Sequence, residues 1–370
     1  MDANFQFTRY LYEKEEVKIV LLTSILNKNL EESLFWAYEL FYSGFTDELI
    51  ELFWKMYYDF YATLNPSFEK FLLTHLSSSF KNDDKGEKTV ACIVNNFIVH
   101  PHTTDVFILQ QIVKQYDFET CNQDAEEIIN LMDAEDYLMI AYLILNASEQ
   151  SYLPEIYTNM IEFFEKMGLD IDVKKETDTF KKMMSIPFII SNKRILLLSR
   201  MMHYFTVLKK KKLGKKLFVC VEEDEINKYK TIELVKPAWK TLSTLDLLNI
   251  DSNNYLSLFH LKREKYNIMN AYRNNWCYHA SFTPLWQERI INHSGIIDHE
   301  NKTVLFNDDD MERFYQNYGF EPDEQKIEIQ EKTIKNIKQE RTCLQFYKEH
   351  KNHGIVEVEE EYLNEMSKFE

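Results

Sequence analysis

Glycine and proline occur only seven times each in a chain of 370 residues, about 2 % apiece against typical usages of roughly 7 % and 5 %. Sheet-rich and α/β enzymes need glycine at tight turns, at bulges and wherever backbone approaches phosphate, whereas a helix hairpin needs only a terminal glycine. The scarcity therefore predicts a mainly α fold. An apolar share of 45 % is ample for a packed core and excludes disorder of the whole chain. With 26 Phe, 22 Tyr and 5 Trp, rings fill much of that core, and each buried tyrosine hydroxyl requires a partner.

Periodicity places the helices. Leu34, Ala37, Tyr38 and Phe41 follow the i, i+3, i+4, i+7 rule from Leu30, and Gly44 stands where a left-handed cap is needed. Thr46 caps the next helix, Asp47 and Glu48 suit its positive end, and Leu49, Leu52, Phe53, Met56 and Phe60 form its buried stripe. An antiparallel hairpin over 30–62 follows. Asn65-Pro66 reads as the cap and first-turn proline of a helix through Leu76, and Lys81 to Lys88 as a polar break. Further helices start at Thr104-Asp105, Asn122 and Asp133. The last opens a second hairpin over 134–167, with Leu138, Ala141, Tyr142 and Leu145 on one arm, Leu153, Ile156, Tyr157, Met160 and Phe164 on the other, and Gly168 at its end. A shift of 104 positions lays Leu34 on Leu138, Tyr38 on Tyr142 and Phe60 on Phe164. Any two hairpins of one apolar period agree in this way, so stacked hairpins with a concave surface follow more directly than an internal duplication.

The expected organisation is an array of antiparallel helix hairpins over 1–168, a basic helical segment over 169–216, a small mixed α+β region over 217–325, and a helix with an acidic tail over 326–370. Leu217 to Cys220 and Thr231 to Val235 are short β-prone runs, and Ile296-Ile297 with Thr303 to Phe306 reads as a β-hairpin around Asp298 to Lys302.

A net charge of −17 argues against a protein that coats nucleic acid with its whole surface. The distribution is uneven, however. From Thr179 to Cys220 there is no Asp or Glu, while Lys181, Lys182, Lys193, Arg194, Arg200, Lys209, Lys210, Lys211, Lys212, Lys215 and Lys216 contribute +11 and leave the remainder at −28. One reading is an anion-binding surface: a cationic helix over 192–208 and the lysine turn after it meet RNA or DNA phosphates, with His203, Tyr204 and Phe205 as stacking faces. The other is a basic helix complemented internally by the acidic remainder, such as Glu357, Glu359, Glu360, Glu361 and Glu365. Lys209 to Lys212 with Lys215 and Lys216 also fits a nuclear address.

Five cysteines, Cys92, Cys121, Cys220, Cys277 and Cys343, are odd in number and form no C-x-x-C, which favours reducing surroundings. The N-terminal residues have no signal-peptide pattern, and no segment reaches the ~18 uninterrupted apolar residues of a membrane span. An intracellular setting follows: cytoplasm, nucleus or a viral compartment. Cys277, His279, His293 and His299 lack the paired halves of a strong zinc signal and read as core or surface residues. Asp308, Asp309 and Asp310 resemble an aspartate-rich metal site but read better as the first turn of a helix through Tyr318, capped by Asn307 or Asp308. No G-x-G-x-x-G, P-loop, G-x-S-x-G or H-E-x-x-H is present, so no catalytic residue, metal or cofactor is expected. Tyr229, Leu234 and Val235 match Y-x4-L-Φ, the pattern by which translation factors and repressors hold the cap-binding initiation factor, although 22 tyrosines make one such match expected by chance.

The stretches Phe7-Thr-Arg-Tyr-Leu-Tyr12, Phe35-Trp-Ala-Tyr-Glu-Leu-Phe-Tyr-Ser-Gly-Phe45 and Tyr57-Tyr-Asp-Phe-Tyr-Ala-Thr-Leu-Asn-Pro66 resemble conserved, uncharacterised helical proteins of large nucleocytoplasmic DNA viruses. The likeness covers the first 75 residues or so and a patch from Trp276 to Trp286. It implies a viral factory or virion setting and no activity. The hairpin alone is similar to the helical collar of clamp-loader relatives, without their ATPase motifs. The function that follows is a non-enzymatic scaffold or adaptor holding a protein partner and, through residues 179–220, nucleic acid or another polyanion, in a viral translation, transcription or replication assembly. The alternatives are a structural virion or assembly protein and an enzyme with an unrecognised site.

Overall fold

In the computed structural model, residues 6–76, 83–115, 125–147, 152–186, 193–211, 213–214, 218–219, 221–222, 224, 226–227, 274–318 and 342–365 are described, and helices dominate them. In chain order these are α1 (Lys14–Leu26), α2 (Leu30–Tyr42), α3 (Thr46–Met56), a π-helical turn (Tyr57–Tyr61), α4 (Phe68–His75), α5 (Asp83–Val99), α6 (Asp105–Gln115), α7 (Ala125–Asp133), α8 (Tyr137–Asn146), α9 (Leu153–Lys166), α10 (Val173–Met183) and α11 (Lys193–Leu208). Then come α12 (Trp276–Ala280), α13 (Pro284–Asn292), strands β1 (Ile296–Asp298) and β2 (Thr303–Leu305), α14 (Asp308–Tyr318), α15 (Cys343–His350) and α16 (Glu360–Glu365). Two compact units emerge, and neither is one continuous stretch of chain. The first gathers Met1–Ile50, Leu76–Ile98 and Val219–Arg341, and the second Glu51–His75, Val99–Phe218 and Thr342–Glu370.

Helix hairpins are present in both, with pairings displaced by one element from those the periodicity suggests. In the first unit α2 packs along α1, whose apolar side chains from Val17 to Leu26 are buried on every face. The turn between them is closed by Lys28 at φ +61° and by Asn29, whose side chain accepts from the Glu32 amide at 3.3 Å. Gly44 takes φ +89°, and the Phe45 amide reaches back to the Leu40 carbonyl at 3.1 Å, a Schellman-type end to α2. A Cβ on Gly44 would also lie 2.7 Å from Cβ of Pro284. Arg9 and Glu39 form a buried ion pair, Nε to Oε2 at 2.8 Å, and the Tyr10 amide donates to the other carboxylate oxygen at 3.0 Å. Tyr38 meets its polar obligation by donating to the Glu87 carbonyl at 2.9 Å.

The β-hairpin forms as the sequence predicts, with Ile296 opposite Leu305, Ile297 opposite Val304 and Asp298 opposite Thr303. It rests on an aromatic cluster in which the Phe306 ring lies 4.9 Å from that of Phe314, and Trp276 packs edge-on to Trp286 at 5.5 Å. The expected run Leu217 to Cys220 contains no strand at its described residues 218–219. Thr231 to Val235 lies outside the described residues.

Three local expectations are corrected. Lys81 to Lys88 is not a break throughout, because α5 already begins at Asp83. Asp133 ends α7 instead of opening α8; Asp136 is the cap, accepting from the Met139 amide at 3.0 Å. Phe60 does not continue an α stripe, since from Tyr57 the chain widens into a π-turn. In the second unit that turn carries Phe60 against Phe107 at 5.1 Å between ring centres, and Phe346 of α15 closes on Phe107 at 5.3 Å. α9 pairs most closely with α10, and Gly168, at φ +95°, ends α9 as expected.

Candidate polyanion-binding segment

Apolar residues occupy most of the circumference of α11, and such faces are buried. Leu196, Leu197, Leu198, Met201 and Met202 are completely shielded, in the second unit, beside α6, α8, α9 and the π-turn. A cation at the centre of such a helix requires a carboxylate. Arg200 pairs with Glu69 of α4, their side chains 16 % and 7 % exposed, and the Tyr58 hydroxyl donates to the other oxygen of Glu69 at 3.1 Å. The π-turn supplies this geometry by presenting Tyr57 and Tyr58 consecutively, and Tyr57 donates to the Asn65 carbonyl at 3.3 Å. Burial pushes the Glu69 carboxyl upward, while Arg200 and Tyr58 oppose it. Burial, then the neighbouring Glu69, holds both tyrosines well above the ordinary phenol value. Arg200 is therefore engaged inside the second unit and does not face solvent as a free cation.

The predicted stacking faces are core as well, which corrects that expectation. Phe205 packs edge-on to Phe164 at 4.9 Å and to Tyr137 at 5.1 Å, and Tyr204 lies 5.4 Å from Phe164. His203 Nδ1 sits 2.9 Å from the Thr63 carbonyl, which can only accept, so this nitrogen carries the proton. Burial lowers the His203 pKa to about 4, leaving a neutral ring at pH 7.

The remaining cations divide between structure and solvent. Arg194 donates to the Ala147 carbonyl, and Lys193 is half-buried. Lys209 pairs with Glu135 at 2.5 Å and lies over the Tyr137 ring. Lys210, at φ +53°, and Lys211 are exposed in the turn that ends α11, where the Lys211 amide donates to the Thr206 carbonyl at 3.1 Å. Lys181 and Lys182 are exposed in the last turn of α10, where cations favour the negative helix end. Lys212, Lys215 and Lys216 lie outside the described residues, as do Tyr229, Leu234 and Val235. Arg194, Arg200 and Lys209 thus have partners within the chain, Lys209 in a solvent-exposed pair, while Lys181, Lys182, Lys210 and Lys211 are exposed.

The other candidate clusters are held apart. Burial pushes the Cys277 thiol up to about 12, and His279 is buried against Phe7. His293 is engaged by the Arg289 carbonyl and the Asn317 amide, each at 2.9 Å, and His299 contacts the Tyr278 hydroxyl. Among the described residues, no three His, Cys, Asp or Glu side chains converge as metal ligands. Asn307 caps α14, accepting from the Asp310 amide at 2.9 Å, as the first-turn reading of the three aspartates requires.

Sequence reasoning did not find the open cleft of about 500 Å³ beside the start of α3, lined by Gln6, Phe45, Asp47, Glu48, Phe282 and Pro284. Lys14 already pairs with Glu48 at 2.8 Å and lies over the Phe45 ring, so a cation of the chain itself answers the acids there. No protein family, curated protein or solved structure matches the chain. No helix among the described residues is long and apolar enough to cross a membrane.

Proposed function

We propose that the chain is a helical scaffold that holds a protein partner and contacts nucleic acid through the lysine turn that follows α11, not through α11 itself. The observation that supports this is the engagement of Arg194, Arg200 and Lys209 by partners within the chain, set against the exposure of Lys210 and Lys211 in a stretch without a single acid. A few exposed lysines neutralise a few phosphates, so the contact is modest, salt-sensitive and not sequence-reading. Lys212, Lys215 and Lys216 follow in the sequence.

The test is a charge reversal. K210E/K211E should weaken binding of a fluorescein-labelled single-stranded oligonucleotide at least tenfold at low salt while thermal unfolding stays unchanged. Undiminished binding in the reversed variant would sink the assignment. A viral assembly is the setting that the resemblance of the first 75 residues or so and of the patch from Trp276 to Trp286 suggests for such a scaffold. Purification from infected cells separates it from a structural virion role: polymerase, helicase or initiation factors as partners favour the scaffold, capsid proteins the alternative.

A further inference from the structure

Four of the large apolar side chains that stand in solvent lie between residues 291 and 311: Ile296 at 67 %, Ile291 at 60 %, Leu305 at 52 % and Met311 at 44 % exposure. Ile296 and Leu305 are register partners, so they sit side by side on one face of the hairpin. Ile291 comes from the last turn of α13 and Met311 from the first turn of α14, the helices on either side of the hairpin in sequence. The support beneath is rigid. Ile290 and Phe314 are completely buried, Phe306 stacks on Phe314, and Gly295 is packed so closely that a Cβ there would lie 2.6 Å from Ile290 and 2.7 Å from Phe306.

The surroundings of these side chains are acidic. Glu288, Glu300, Asp308, Asp309 and Glu312 are exposed on the same three elements. Of the cations on these elements, Arg289 lies over the rings of Trp286 and Tyr318 at 4.7 and 4.5 Å, Arg313 pairs with Asp310 at 3.7 Å, and Lys302 is exposed in the hairpin turn, so the acids outnumber them. Asp298 is used locally, accepting from the Glu300 and Asn301 amides at 3.0 Å. The exposed pair Ile296 and Leu305 on a fixed aromatic base, with further exposed apolar side chains and acids on the flanking helices, has the anatomy of a protein-docking surface, and charge complementarity selects the partner.

We propose that this face docks a basic amphipathic helix of a partner protein, its apolar stripe on Ile291, Ile296, Leu305 and Met311 and its lysines or arginines toward Glu288, Glu300 and Glu312. The inference rests on the scaffold reading, to which it gives a partner surface, and it is independent of the lysine turn. Two probes test it: an 18-residue helical peptide with leucine at i, i+3, i+4 and i+7 and lysine elsewhere, and its counterpart with glutamate in place of lysine. Methyl NMR on the full chain should show shifts confined to Ile291, Ile296, Leu305 and Met311 with the lysine peptide, which should bind at least tenfold more tightly than the glutamate peptide. I296T/L305T keeps β-forming residues in the hairpin and should weaken binding at least tenfold, and E300K/E312K at least fivefold. Equal affinity in I296T/L305T, shifts centred elsewhere, or no binding would overturn the proposal, as would self-association of the free protein that I296T/L305T abolishes. Any of these with oligonucleotide binding by the lysine turn intact would remove this surface and leave the scaffold reading standing.

Discussion

Replacing Arg200 with methionine leaves Glu69 without its cation in a site almost without water, since the two side chains are only 16 % and 7 % exposed. Removing one partner of a buried pair destabilises by about 3–5 kcal/mol, a large share of the roughly 5–15 kcal/mol that holds a domain folded. The Tyr58 hydroxyl, 3.1 Å away, still donates to Glu69, and one hydrogen bond to a charged group contributes about 1.5–3 kcal/mol. Glu69 responds by holding a proton: its carboxyl is already raised by burial, and loss of Arg200 raises it further. A carboxyl raised in the folded state gives stability that is fully present below its unfolded value and lost as pH rises through its folded value. The deficit of R200M relative to wild type should therefore be smallest near pH 4 and widen toward pH 8. E69Q keeps an acceptor for Tyr58 and removes the charge, so R200M/E69Q should recover half or more of the deficit and flatten its pH dependence. Urea unfolding of the four proteins at a series of pH values measures all of this. A deficit under about 1 kcal/mol at pH 8, the size of a solvated surface pair, or a deficit independent of pH, would refute the buried-pair reasoning and return Arg200 to the list of free cations.

Gly44→Ala places a Cβ at φ +89° and against Pro284, and should destabilise by about 1–3 kcal/mol in thermal unfolding; an unchanged transition would contradict the cap. His203 should titrate near 4 by NMR, and a value near 6.5 would mean that its ring is solvated. The Asp105 carboxyl is raised to about 6 by burial, despite accepting from the Ile355 amide at 2.9 Å and the Val356 amide at 3.4 Å. Its stabilising contribution is full below 3.8 and lost as pH rises through about 6, so hydrogen-exchange protection of α15, corrected for intrinsic rates, should be greater at pH 5 than at pH 7.5. D105N should erase that difference; if it persists, Asp105 is not its source. A Cβ on Gly354 would be driven into the Asp105 carboxylate, so G354A should loosen the same region, and proteolysis of residues 342–365 no faster than in wild type would argue otherwise.

Some helix ends were readable because their chemistry is local, while the start of α5 and the cap of α8 were not. Gly44 and Gly168 supply positive φ, Asn307 caps α14, and alternating apolar runs around Asp298 to Lys302 make the hairpin. Helix partners were not readable, because an apolar stripe shows which face is buried but not against what. α1, buried on nearly every side, has no stripe at all and claims α2 as its neighbour. The interleaving of two units from separated stretches rests on contacts that no local pattern encodes. Arg200 was legible in part: Leu196 to Leu198 and Met201-Met202 already mark a buried helix, and a lone arginine within it demands a carboxylate. The exposed pair Ile296 and Leu305 was hidden, since in a two-stranded hairpin either face can turn to the core.

The central claim, that α11 is structural and the turn after it meets phosphate, is tested most directly by the salt dependence of single-stranded oligonucleotide binding. Each phosphate neutralised contributes about −0.7 to the slope of log affinity against log salt. Contacts by Lys210 and Lys211, with or without Lys193, Lys212, Lys215 and Lys216, predict a slope between roughly −1.5 and −4, reduced in magnitude by about 1.4 in K210Q/K211Q and unchanged in folded R200M/E69Q. A slope that K210Q/K211Q leaves intact, or one that falls in R200M/E69Q, would contradict the account.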